Sequence, residues 1–326
     1  MNAATAAIPA SSTTLAMPSA GLRRYAWGVV AYNVAVIVWG AAVRATGSGA
    51  GCGDHWPLCN GSVVQHHPTV ATLIEFTHRS MSGVALVAIL GLLIWTFRAT
   101  PRWHLARAAA VVSLLFTLNE AFLGALLVLL GKVAHDQSAS RAVYLALHFT
   151  NTLLMLAALS LTAHFLSRTR GFMRGSVEWQ FPAVAAVGII ATLIVGVAGS
   201  LAALGDTLYP ATSLRDALLQ DFSTHGSWLI RLRWIHPASS LVAGAFLLWL
   251  VASGLRIASH RTLALSAAGF LAFQYALGVA DVALLARTWI QMLHLLGADL
   301  LWISIIVLAA RLCLRPIGCT EGLCIR

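Results

Sequence analysis

Residues 71–97 read ATLIEFTHRSMSGVALVAILGLLIWTF, and this stretch decides what kind of chain it belongs to. As a helix it is long enough to cross about 30 Å of hydrocarbon. From Met81 to Phe97 it holds no charged residue, while Glu75, His78 and Arg79 stand near its start. Seven further apolar runs of similar length follow the same pattern, at 22–43, 104–130, 141–167, 179–203, 228–252, 261–286 and 288–314. Lipid offers backbone groups no partner, so each run is expected as a helix and not a strand. The composition agrees: 59% of the chain is hydrophobic and 10% charged, against about 45–50% and about 25% in soluble domains. The fold class that follows is an all-α integral membrane protein. The net charge of +10 would suggest nucleic acid in a soluble chain. Here the basic residues sit in short loops between apolar runs, so the expected partner is the lipid bilayer and no nucleic acid.

Counting basic residues at alternate ends gives the orientation. Arg23, Arg24, Arg98, Arg102, Arg107, Arg168, Arg170, Arg174, Arg256, Arg261, Arg311, Arg315 and Arg326 fall on one side. Arg44, Lys132, Arg141, Arg215, Arg231, Arg233 and Arg287 fall on the other. The excess on the first side puts both termini in the cytoplasm and turns loops 44–70 and 204–227 outward. That face is oxidising, so a Cys52–Cys59 disulfide is permitted there. Residues 1–21 are rich in Ala, Ser, Thr and Pro and are expected to be disordered and cytoplasmic. They lack the basic start of a signal peptide.

The chain reads as a duplication. Leu123-Gly124 matches Leu277-Gly278, Glu120 matches Gln274, Gly47-Ser48 matches Gly199-Ser200, His78 matches His236 and His148 matches His294, all at similar offsets. Two pseudo-symmetric four-helix bundles are therefore expected, residues 22–170 and 171–314, with a cytoplasmic tail at 315–326.

Most of the 12 histidines have a plain explanation. His55, His66, His67, His135 and His225 lie in outer loops, and His104, His164 and His260 sit at cytoplasmic helix ends, where capping or snorkelling suffices. His78, His148, His236 and His294 differ, because each lies within about two turns of the outer end of an even-numbered segment, in strongly apolar sequence. An imidazole in lipid usually marks a site. One such histidine is readily explained by a bond to a neighbouring carbonyl; four at matching depth are not. Zinc needs a third or fourth ligand in each cluster. Two histidines facing each other across a four-helix bundle match the axial ligation of a haem iron, and two pairs imply two haem sites.

The halves differ beside their first histidine. Glu75 precedes His78 by one turn, whereas Arg233 holds the corresponding place before His236. Glu75 has two compatible readings, a proton acceptor beside a haem and an ion pair with Arg79 at i,i+4 spacing. Arg231 and Arg233 are read either as contacts to haem propionates or as interfacial anchors. Glu120, Asp281 and Asp299 are acids inside membrane segments, and Glu120 and Asp299 are expected to be hydrogen-bonded within the bundle.

Val43-Arg44-Ala45-Thr46-Gly47-Ser48-Gly49 leads into Cys52-Gly53-Asp54-His55-Trp56-Pro57-Leu58-Cys59-Asn60-Gly61. Together with Glu75-x-x-His78-Arg79 and the three later histidines, this strongly resembles the haem A synthase family in its bacterial form with two loop cysteines. The resemblance spans roughly 22–314. It implies that His78 and His148 ligate the substrate, haem O, whose methyl group is oxidised to the formyl of haem A. It implies that His236 and His294 hold a haem b cofactor and that Glu75 is catalytic. It matches Cys52 and Cys59 to the loop cysteine pair, either an electron relay or a staple over the haem, with the staple favoured. It further implies a multi-pass protein of the bacterial inner membrane that takes haem O from a haem O synthase and serves cytochrome oxidase assembly. A homo-oligomer stays open.

An iron with two axial histidines has no open position for oxygen. Either one histidine leaves, or electrons are withdrawn from the porphyrin and water attacks the methyl carbon, with Glu75 taking the proton. Two other classes compete. A quinol-linked di-haem b cytochrome that only passes electrons explains the histidines but gives Glu75 and the cysteine loop no role. A repeat-built transporter would place its polar site near the midplane, whereas these histidines cluster towards one face.

Overall fold

The structure, a computed structural model, describes residues 18–63, 65–167, 177–179, 183–223 and 226–316. Residues 1–17 of the expected disordered start, the boundary at residue 170, His225, and residues 317–326 of the tail, with Cys319 and Cys324, lie outside the described residues, while Ala20 and Gly21, expected to be disordered, begin α1 behind the Ser19 cap. Ten α-helices are described: α1 Ala20–Ala45, α2 Val70–Ala99, α3 Leu105–Leu129, α4 Ala139–Leu166, α5 Ala183–Leu208, α6 Leu214–Phe222, α7 Trp228–Arg231, α8 Ile235–Leu255, α9 Arg261–Ala283 and α10 Thr288–Cys313. Eight spans are long and apolar enough to cross a membrane, with α7 and α8 together forming the sixth. The protein is all-α and multi-pass. Val177–Trp179 and Leu314–Pro316 add one antiparallel pair of three-residue strands, β1 and β2.

Polar residues immediately before the apolar runs start these helices. Ser19 Oγ accepts from Leu22 N–H at 3.2 Å, Thr69 Oγ1 from Thr72 N–H at 3.1 Å and Ser138 Oγ from Arg141 N–H at 3.3 Å, each occupying one of the first-turn donors a helix leaves open. His104 caps α3 through Nδ1, which accepts from Ala106 N–H at 3.2 Å. Burial, with Arg107 beside it, holds the His104 imidazole below its usual range, which keeps that acceptor available. Within the spans, Ser113, Thr117, Ser160 and Thr162 each donate to the carbonyl four residues earlier, which satisfies these hydroxyls in an apolar setting.

Val84, Val87, Ile190, Val242 and Val279 face outward. In water such a surface would aggregate; against acyl chains it is the expected exterior. Helices α4 and α10 run through the interior. The main core joins Leu22, Val29 and Val30 of α1, Ile89 and Leu92 of α2 and Leu156 and Leu159 of α4 to Trp302 and Ile306 of α10. Trp302 Nε1 donates to Leu153 O at 2.8 Å, binding α10 to α4. A second core gathers α8, α9 and α10 around Leu247, Leu271 and Ile305.

Two expectations on segments need correction. Residues 204–227 are not a simple loop: α5 runs on to Leu208, and α6 follows, capped by Ser213 Oγ, which accepts from Asp216 N–H at 3.1 Å. The sixth span is not one helix. Pro237 has no N–H to give Arg233 O, and its ring crowds that carbonyl. The chain therefore tightens into three-residue turns, Ile235 N–H to Leu232 O at 3.1 Å and His236 N–H to Arg233 O at 3.3 Å, before α8 proceeds.

Arg44, at the end of α1, reaches the helices of the later spans. Its Nη1 donates to Ala203 O at 2.6 Å and Thr207 Oγ1 at 2.7 Å, and its Nη2 donates to Gln291 Oε1 at 2.7 Å. One guanidinium thus fastens α1 to α5 and α10. Arg44→Met keeps the stem and removes the donors, and should cost about 1–3 kcal/mol. Thermal unfolding in detergent measures this; an unchanged midpoint would show that the three bonds contribute nothing.

Candidate functional site

All four singled-out histidines lie against a glycine of another helix. A Cβ on Gly40 of α1 would stand 2.9 Å from His78 Cε1, and one on Gly199 of α5 would stand 2.7 Å from His236 Cε1. Gly124 of α3 faces His148 Cε1 at 3.7 Å, and Gly278 of α9 faces His294 Cε1 at 3.3 Å. Absence of a side chain lets one helix backbone approach the imidazole carried by the next. Gly40 meets a histidine as Gly199 does, whereas Gly47, matched to Gly199 on sequence offsets, follows α1 in a left-handed turn at φ 66° and has nothing within 4 Å of its Cβ position.

His236 and His294 come together with ring centroids 6.1 Å apart and planes at 86°. Two metal–imidazole bonds of about 2 Å, plus the reach from each ring centre to its nitrogen, bring two axial imidazoles to about this separation. His236 Nδ1 lies 3.0 Å from Val195 O. A carbonyl can only accept, so Nδ1 carries the proton and Nε2 presents its lone pair, the arrangement found behind metal-bound histidines. Gln274 Nε2 donates towards His294 Nε2 at 3.2 Å, and His294 Nδ1 is buried without a hydrogen bond. His78 and His148 lie close enough to interact electrostatically, and Nδ1 of each is likewise buried without a hydrogen bond. Among the described residues no three His, Cys, Asp or Glu side chains form a metal-binding group. The donor sets are imidazole pairs, which suit an iron whose other ligands come from a porphyrin and do not suit zinc.

Glu75 is buried, and both of its oxygens are engaged. Oε2 accepts from Cys52 N–H at 2.8 Å. Oε1 accepts from Arg79 Nε at 3.1 Å and from its Nη2. Arg79 Nη1 also donates to His55 O at 2.6 Å and Leu58 O at 3.0 Å. The ion pair read from the i,i+4 spacing is therefore present, and it grips the disulfide loop as well. Cys52 and Cys59 are bonded, with Cα atoms 4.4 Å apart, and both are buried. Gly51 permits the loop to lie on the start of α2, because a Cβ there would meet Ala71 C at 2.4 Å.

Arg233 is committed to carboxylates: Nη1 donates to Asp206 Oδ1 and Nε to Asp221 Oδ1, both at 2.8 Å, and Nη2 to Gln220 Oε1 at 3.3 Å. Arg231 Nη2 donates to Gly226 O at 3.3 Å. Asp206, Asp221 and Arg44 were not singled out from the sequence, since their partners lie in distant segments. Glu120 is hydrogen-bonded within the bundle as expected, accepting from Asn151 Nδ2 at 2.6 Å and from the Thr152 hydroxyl. Asp299 is not: it is fully buried, and no donor reaches either oxygen.

The profile of COX15-CtaA, cytochrome oxidase assembly protein, matches residues 23–306. A protein named protoheme IX farnesyltransferase from Thermus thermophilus is 43% identical over 296 residues, covering 88% of this chain and 48% of the relative. Proteins named heme A synthase are similar over shorter stretches. That of Bacillus licheniformis is 40% identical over 126 residues, 39% of each chain. That of Geobacillus kaustophilus is 38% identical over 152 residues, 47% of this chain and 40% of the relative. The chain thus spans about half the length, or less, of these relatives.

The glycine contacts lead to a graded expectation. Gly40→Ala and Gly199→Ala should each cost about 1–3 kcal/mol through overpacking, because the new methyl lands within 3 Å of an imidazole carbon. Gly124→Ala, with 3.7 Å available, should unfold at the parent temperature. Equal melting temperatures for all three variants would show that the glycines are not there for clearance.

Proposed function

Because the chain belongs to the cytochrome oxidase assembly protein family COX15-CtaA, we propose that it oxidises a methyl group of haem O to the formyl group of haem A. The observation that carries this reading is the His236–His294 pair at 6.1 Å, with Val195 O fixing the tautomer of one ring and a second pair, His78 and His148, cleared by glycines in the same way. His78 and His148 hold the substrate haem, and His236 and His294 hold haem b. Both pairs open towards the outer face of a bacterial inner membrane, with the termini in the cytoplasm.

The similarity to a farnesyltransferase does not favour prenyl transfer here. More than half of that relative lies outside the match, whereas heme A synthases align inside this chain. A farnesyl-transferring enzyme is instead the natural source of the farnesylated haem this reaction consumes, and cytochrome oxidase assembly is the natural destination of its product.

Bound haem b supplies a one-electron reservoir near the substrate. The chain's own residues position and deprotonate. Glu75, one turn before His78, takes the proton released at the substrate, held in place by Arg79 and Cys52 N–H. The disulfide keeps the loop that carries this N–H folded on α2, a staple's role. Arg231 and Arg233 remain the residues to meet propionates; Arg233 would share its guanidinium with Asp206 and Asp221.

Expression with haem O supplied, followed by chromatography of the extracted haems, tests the reaction. Haem A should appear with the parent protein. His236→Ala and His294→Ala should each abolish tightly held haem b. Glu75→Gln keeps an acceptor for Cys52 N–H but cannot take a proton, and should lower haem A formation about 10²–10⁴-fold while keeping the low-spin spectrum. Recovery of haem b alone from the parent would identify an electron-transfer cytochrome instead, and parent-level turnover in Glu75→Gln would leave the Arg79 ion pair as that residue's whole role.

A further inference from the structure

Glu120 and Gln274 occupy the same local position in different helices. Each stands four residues before a glycine, Gly124 or Gly278, that faces the histidine of the next span. Residues i and i+4 share a helix face, so the acid and the amide are each delivered to the imidazole their glycine clears. Glu120 Oε1 lies 3.5 Å from His148 Nδ1. Gln274 Nε2 lies 3.2 Å from His294 Nε2. The two side chains reach different nitrogens and differ in chemistry: the carboxylate lies at Nδ1 and accepts a hydrogen bond, whereas the amide NH₂ lies at Nε2 and donates one.

His148 Nδ1 is buried and makes no hydrogen bond, and an oxygen at 3.5 Å can close on it with a small side-chain adjustment. The carboxylate is already aimed, since Asn151 Nδ2 holds Oε2 at 2.6 Å and the Thr152 hydroxyl donates to Oε1. Both donors belong to α4, the helix that carries His148.

We propose that Glu120 is a positioning residue for His148, accepting its Nδ1–H so that Nε2 faces the iron as a stronger donor, while Gln274 gives His294 no such partner. The inference rests on the four-histidine reading above. Both irons would have two imidazole ligands, so axial ligand identity does not distinguish them; the group behind the ligand does. A carboxylate behind one imidazole stabilises the oxidised iron, giving the first pair the lower reduction potential. A purely structural Glu120, tying α3 to α4 through Asn151 and Thr152, would leave that potential alone.

The test uses the full chain loaded with hemin. In a His236→Ala background the second pair is broken and hemin reports on His78 and His148. Adding Glu120→Gln should keep a low-spin spectrum, weaken hemin affinity about 10- to 100-fold and raise the midpoint potential; Glu120→Asp should restore part of both. Parent affinity and potential in hemin-loaded Glu120→Gln would overturn the proposal. If Glu120→Gln neither folds nor loads hemin, Glu120→Asp, whose shorter side chain draws the carboxylate back from Nδ1, decides, and parent affinity and potential there overturn the proposal equally. Failure of hemin to become low-spin with Glu120 intact would instead bring down the four-histidine reading, and this inference with it.

Discussion

Within lipid no water is available to satisfy a polar group, so each polar atom placed there must be met by the protein itself. The features that distinguish this chain from a plain bundle of apolar helices follow from that constraint. Hydroxyls bond back to their own helix. Arg44 spends its guanidinium on a carbonyl, a hydroxyl and an amide from two other helices. Glu75 is enclosed by Arg79 and a backbone N–H. Some buried atoms escape that constraint, among them His78 Nδ1, His148 Nδ1 and His294 Nδ1, along with Thr96 Oγ1, Gln274 Oε1 and both Asp299 oxygens. Three of these atoms belong to the four histidines, and at His148 the Glu120 carboxylate stands 3.5 Å from the unsatisfied nitrogen.

The glycines make that set possible. Helices normally keep their axes 8–10 Å apart because side chains intervene. Gly40 and Gly199 remove the intervening atoms where the Cε1 edge of an imidazole approaches the neighbouring backbone. At His236 the same approach brings Val195 O within 3.0 Å of Nδ1. Close packing and tautomer choice are therefore one event at that histidine. A bulkier residue at 199 would disturb both.

Hydropathy made the eight spans legible, because lipid imposes one requirement on every turn of a crossing helix. The four histidines were legible for the same reason, as expensive residues in an apolar run. What escaped depends on contacts between segments far apart in the chain. Nothing local in Asp206 or Asp221 announces Arg233, and nothing near Arg44 announces Gln291. Two features were readable in principle: Ser213-x-x-Asp216 is a helix-start signature, and Pro237 forbids an unbroken sixth helix. Gly47 and Gly199 look alike in sequence yet have different surroundings. A Gly-Ser dipeptide recurs by chance in a chain with 26 glycines, and only the facing histidine separates a clearance from a helix exit.

Glu75 and Arg233 stand three residues before their histidines with opposite charges, yet each does the same mechanical work. Glu75 clamps the disulfide loop to α2; Arg233 clamps α5 and α6 to the start of α8. The outer ends of both histidine helices are thus covered by a segment held through a charged contact. Mechanical equivalence does not extend to chemistry. Arg233 has no proton to exchange at ordinary pH, while a carboxylate in the same place can accept one. If only fastening mattered, either sign would serve in either half. Glu120 in turn stands 3.5 Å from His148 Nδ1, whereas the amide of Gln274 stands beside His294. An acid beside one imidazole and an amide beside the other is the asymmetry on which the proposal of proton-coupled chemistry at His78 and His148 rests.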